Sequence, residues 1–166
     1  YQVDKYANLR VGYTFLFGHS GKKLLFMGQD FGQEREWSEE RELDWFLLGK
    51  DLNRGLKDYV KELLELYRNH PVMYKIDSDW SGFEWINADD AQRSIYSFFR
   101  KDETGKNRIL LILNMTPIEY KDFRVGVPEA GTYKLLLDSA STKFGGQGSN
   151  ISRTIRSKDG ACDWRE

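Results

Sequence analysis

Gly21-Lys-Lys-Leu-Leu-Phe-Met-Gly28 is a short apolar run between two glycines, and Gln29-Asp-Phe-Gly-Gln-Glu-Arg-Glu-Trp37 follows it directly. With four apolar residues in succession the run suits a strand buried on both faces. Residues 29 to about 53 are charged and irregular. A loop of that length in a compact domain is usually functional or disordered, and Phe31, Trp37, Trp45 and Phe46 argue against disorder. Upstream, Tyr6, Leu9, Tyr13 and Phe17 share one helical face, which Gly18 and Gly21 bring to an end. Downstream, Leu56, Tyr59, Val60, Leu63, Leu64 and Tyr67 form the apolar stripe of a helix over 54–69, stopped at His70-Pro71. Helix, buried strand, long loop, helix is the pattern of the last unit of a (β/α)8 barrel. The loops after the strands of such a barrel form its catalytic face.

From about residue 79 the apolar period changes to two. Strands are expected at 83–86, 94–100, 108–114, 122–127, 133–138 and 152–157, with a hairpin turn at 102–107 around Gly105. Ile109 to Leu113 is apolar throughout, which predicts a central strand. The fold class is therefore α+β: a barrel remnant over 1–75 followed by an all-β antiparallel sandwich over 76–166.

Composition narrows the function. Forty per cent of the 166 residues are apolar and fourteen per cent aromatic, enough to fill a core. Twenty-five basic residues against 26 acidic ones leave a net charge of −1, with no basic block to attract nucleic acid or an anionic membrane. No run approaches the length of a membrane span. Cys162 is the only cysteine, which excludes an internal disulfide and fits the cytoplasm. With two distant histidines it makes no metal site, and no cofactor is expected. Tyr1-Gln2-Val3-Asp4 is neither a signal peptide nor a starting methionine, so the chain is expected to be cut from something larger.

The stretch Gly21–Trp37 resembles the eighth barrel strand and following loop of glycogen (1,4-α-glucan) branching enzymes, members of the α-amylase clan (glycoside hydrolase family 13). Tyr6-Ala-Asn-Leu-Arg10, Leu43-Asp-Trp-Phe-Leu-Leu48, Gly82-Phe-Glu-Trp85, Asn114-Met-Thr-Pro117 and Phe144-Gly-Gly-Gln-Gly-Ser-Asn150 agree with the family in the same order. The chain departs from the pattern at Asp30, where the family usually has Glu. It also ends before a final apolar strand with a Pro-Pro pair, so the sandwich is expected to lack its last strand.

The resemblance implies an enzyme that cuts α-1,4 glucan and transfers the segment to a 6-hydroxyl, forming α-1,6 branches. It would use a nucleophilic carboxylate, an acid/base carboxyl and a third Asp. The family holds these after the fourth, fifth and seventh barrel strands, upstream of Tyr1. No catalytic residue is therefore expected in this chain, and the chain by itself is expected to be inactive. A related amylase or debranching enzyme, an α-glucan-binding module and a purely structural domain are the alternatives.

On the loop, Gln33, Glu36, Trp37, Asp44 and Trp45 are the candidates for contact with glycogen or amylose. Sugars bind through hydroxyl hydrogen bonds and by stacking on aromatic rings. The competing reading has Trp37 and Trp45 pinning the loop to the barrel rim. The charge run from Glu34 to Glu42 reads as a solvated face, and His19 and His70 as polar helix-terminal residues. Trp80, Phe83 and Trp85 read as interface packing, and residues 144–150 as a flexible loop. Without the rest of a barrel, Leu24, Phe26, Leu63 and Tyr67 would be bare. The chain is then expected to self-associate or to fold its helices onto the sandwich.

Overall fold

The computed structural model describes residues 1–165; Glu166, the last residue of the expected sandwich domain, lies outside them. Two helices form first, α1 over Gln2–Gly18 and α2 over Asp51–Asn69. They pack as a pair because their stripes meet: Tyr6 of α1 with Leu56 and Val60 of α2, and Phe17 with Tyr59 and Leu63. Fully burying side chains of this size contributes roughly 1.5–3 kcal/mol each. Leu64, at the margin of the stripe, is exposed. The second helix starts three residues earlier than the apolar pattern predicts, at Asp51, an acid favourable to a helix N-terminus.

Three strands follow, β1 (Phe83–Asp90), β2 (Ile95–Lys101) and β3 (Arg108–Asn114), antiparallel in that order. The turn after β2 closes where Asp102 N–H donates to the Asn107 carbonyl at 3.1 Å, and Gly105 takes the left-handed φ of 67° that this turn requires. Two shorter strands, β4 (Thr132–Lys134) and β5 (Thr154–Arg156), pair in a second antiparallel sheet. The chain is thus α+β, its β part made of one three-stranded and one two-stranded sheet.

Four expectations are corrected. Residues 22–28 form no strand. An extended segment needs neighbours to fill its backbone hydrogen bonds, and none pairs here among the described residues. Leu24 is accordingly 75% exposed; Phe26 and Met27 are exposed too, and only Leu25 turns in against the helices. Residues 122–127 are also irregular, with Asp122 at a left-handed φ of 54°. The central strand is β2, not 109–113, and its Phe98 and Phe99 are almost wholly buried. Residues 144–150 are not simply flexible at their start. Phe144 is buried against Tyr59, and a Cβ at Gly146 would fall 2.1 Å from the Ala140 carbonyl oxygen.

The first helix is joined to the β half by two buried arginines. Arg10 of α1 donates to the Ser139 carbonyl at 2.7 Å and to the Phe144 carbonyl at 3.0 Å. Arg100 of β2 reaches back to the end of α1, donating to the carbonyls of Gly18 (3.0 Å) and His19 (3.2 Å). It also bonds the carbonyls of Gly82 and Ile76 and pairs with Asp77 at 2.8 Å. A cation there satisfies orphan carbonyls and complements the helix dipole. Around this joint, His19 sits among Phe15, Phe83, Trp85 and Phe98, with centroids 4.8–6.2 Å apart. The first helix lies against β3, while Leu63 of α2 is buried with Phe17, Tyr59 and Phe144 and Tyr67 stays half-buried.

Candidate functional site

The loop after the apolar run is built, not slack. Gly28 opens it at φ 87°, and a side chain there would meet Gln33 Cβ at 2.9 Å, so both conformation and space call for glycine. The loop is then tied to the helices at three points. Tyr13 Oη donates to the Gln29 carbonyl at 2.7 Å, and Asn53 Nδ2 donates to the Phe31 carbonyl at 2.7 Å. Asp30 pairs with Lys57 of α2 at 2.9 Å, so the shorter acid still finds a partner; at this exposure the pair contributes about 0–1 kcal/mol.

Beyond Gly32 the chain runs out and returns, and one polar ring closes the excursion. Arg35 grips Asp44 with two nitrogens, Nε lying 2.8 Å from Oδ2 and Nη2 on Oδ1. Gln33 Oε1 accepts the Asp44 N–H at 2.8 Å, while Gln33 Nε2 donates to the Arg35 carbonyl at 3.0 Å. The hydrogen bond to Arg35 holds the Asp44 carboxyl below its usual range, and the reverse effect raises the Arg35 guanidinium. Trp37 and Trp45 flank this ring. Trp37 stands edge-on to Phe26 at 5.3 Å and is 40% exposed; Trp45 leans on Phe31 at 5.4 Å and is 49% exposed.

The five sequence candidates thus separate. Gln33 and Asp44 come together and turn inward, spending their polar atoms on the loop itself. Trp37 and Trp45 pack on one side and stay open on the other. Glu36 is exposed; its carbonyl accepts from Arg41, and its carboxylate has no ion pair among the described residues. Arg35 and Asn53 were missed by sequence reading. Arg35 lies in a charge run that reads as solvated, and its partner is nine residues away. Asn53 sits in a helix, where a polar residue gives no sign of the loop carbonyl above it.

The carboxyls that the fold displaces, Asp44, Asp79, Glu84, Asp90, Asp102 and Glu103, are all pushed down, chiefly by hydrogen bonds to their ionised form, Asp102 to about 2. A general acid for glycoside cleavage needs the opposite shift. Among the described residues no group of three His, Cys, Asp or Glu is placed to hold a metal, and no helix is long and apolar enough to cross a membrane.

Residues 85–165 match the family described as alpha amylase, C-terminal all-beta domain, which defines the class of the β half. Over its full 166 residues the chain is 66% identical to the 1,4-alpha-glucan branching enzyme GlgB of Butyrivibrio fibrisolvens, covering 26% of that protein. It is 44% identical over 157 residues to GlgB of Nitrobacter hamburgensis and 39% identical over 160 residues to GlgB 1 of Clostridium perfringens. These alignments span 95% and 96% of the chain and 22% and 24% of the two relatives. The chain thus spans about a quarter of the length of the branching enzymes it is similar to, 26% of the Butyrivibrio protein, and its residues 85–165 are the ones that match the C-terminal all-beta domain.

Proposed function

We propose that this chain is the supporting C-terminal part of a 1,4-α-glucan branching enzyme. The complete protein would cut α-1,4 glucan and pass the segment to a 6-hydroxyl of glycogen, in the cytoplasm. Residues 1–75 would close the catalytic barrel, and residues 76–166 would form the sandwich that braces it. The chemistry of cleavage and transfer would be supplied by carboxylates outside this chain. The downward shifts of its own perturbed carboxyls support that reading.

The contribution of this chain would be binding and orientation. One observation carries it: the loop over 29–48 is held by side chains to α1 and α2 and presents two half-open indoles, Trp37 and Trp45. Rings fixed in this way stack on the apolar faces of glucose units, while Glu36 can accept from sugar hydroxyls.

Electrophoresis of the chain through gels with and without glycogen or amylose tests the binding, alongside Trp37→Ala and Trp85→Ala. Retardation lost in Trp37→Ala supports the loop as the contact. Retardation lost only in Trp85→Ala moves it to the β half and favours an independent binding module. Incubation with amylose, followed by debranching and chain-length analysis, should show no branching by this chain. New α-1,6 linkages would overturn the supporting role.

A further inference from the structure

We propose that Arg35 and Asp44 are positioning residues for the glucan contact: their ion pair holds Trp37 and Trp45 as two stacking platforms on one closed loop. The inference rests on the loop being a glucan contact, and it adds what makes that contact work. Asp44 is 5% exposed and both its oxygens face Arg35, so it has nothing left to offer a sugar. A buried carboxylate locked by a bidentate guanidinium is instead a rigid, directional joint. Gln33 stiffens it from both sides, holding Asp44 through its backbone N–H and Arg35 through its carbonyl.

The placement of the indoles makes the joint relevant to binding. Trp45 directly follows Asp44, and Trp37 lies two residues beyond Arg35. A chain spans at most about 3.6 Å per residue, so neither indole can drift far while the pair is closed. Opening the pair frees an excursion of mostly polar, exposed residues between the two rings, Ser38 to Glu42. Each indole then keeps its Phe neighbour but loses its fixed relation to the other. Two platforms that must order on binding hold a ligand less tightly than two already in place.

The test measures glycogen affinity from gel retardation and thermal stability for the 166-residue chain, its Arg35→Ala, Arg35→Lys, Asp44→Asn and Trp37→Ala variants, and the Arg35→Ala/Trp37→Ala double variant. All gels run well below every melting temperature. Arg35→Ala and Asp44→Asn should weaken binding about tenfold, as Trp37→Ala does, with the double variant little worse than either single one, since the residues act as a unit. Arg35→Lys, which keeps the charge but not the fork, should recover part of the loss. A variant that melts earlier but is retarded like the wild type would reduce the pair to a stability element and overturn the inference alone. No retardation of the wild type would remove the glucan contact itself, and the inference with it.

Discussion

The helical pair has two sides, and they differ sharply. Toward the sheet, the Gly18 and His19 carbonyls at the end of α1 find a donor in Arg100, and Gly18 lets Leu111 approach so closely that a Cβ would fall 2.2 Å from its Cδ2. Toward the opposite side, residues 22–28 run past unpaired with Leu24 and Phe26 in solvent. Both sides begin from similar apolar sequence. Burial is therefore decided by whether a neighbour with matching hydrogen-bond capacity is present, not by hydropathy.

The sharpest way to break the comparison is at Arg100. Arg100→Met keeps much of the aliphatic stem but leaves Asp77 without its cation and removes a donor from four carbonyls, of which His19 keeps a second donor in Lys23. Removing one partner of a buried pair costs about 3–5 kcal/mol. Urea denaturation should show a loss in that range; a loss below about 1 kcal/mol would mean that the aromatic packing around His19 holds the joint alone. Gly55→Ala comes next. A Cβ there meets the Phe144 carbonyl at 2.7 Å, so overpacking of about 1–3 kcal/mol opposes a helix-propensity gain of up to about 1 kcal/mol. A lower melting temperature is expected, and a rise would show that the 144–150 loop yields freely.

Much of this was legible from the residues. The two helices, the β2–β3 hairpin and the change of period near residue 79 follow from spacing alone, because each is stabilised by near neighbours. The Lys22–Gly28 run was misread since its strand character depends on partners that local pattern cannot supply. Trp37 and Trp45 could be singled out as large rings in a polar loop. The Arg35–Asp44 pair could not, because one charge in a charged run looks like any other until the chain folds back. Arg10 and Arg100 were invisible for the same reason: their acceptors are backbone carbonyls up to 134 residues away.

A smaller effect comes from Lys23, beside the end of α1. Burial pushes its amine down to about 8, against 10.5 in the unfolded chain. Between those values the unfolded state binds more protons, so stability should rise with pH from 8 toward 10.5. Tyr59 works the other way only at higher pH, being raised to about 12 by burial, so its contribution is lost as pH climbs from 10 upward. The early rise, measured between pH 8 and 9.5, should disappear in Lys23→Met. Its persistence there would assign the titration to another group.

The bare side gives the smallest expected change in stability. Leu24 buries little, so Leu24→Ser should leave the unfolding free energy within about 0.5 kcal/mol of wild type. The same change removes the most exposed leucine of the apolar run and should lower both the binding of a hydrophobic dye and the concentration-dependent association measured by sedimentation. If stability falls by as much as a core truncation, about 2–5 kcal/mol, Leu24 is covered in solution and the contrast between the two sides disappears. If stability and association are both unchanged, the side is bare but inert, and the exposed apolar run does not drive association of the chain.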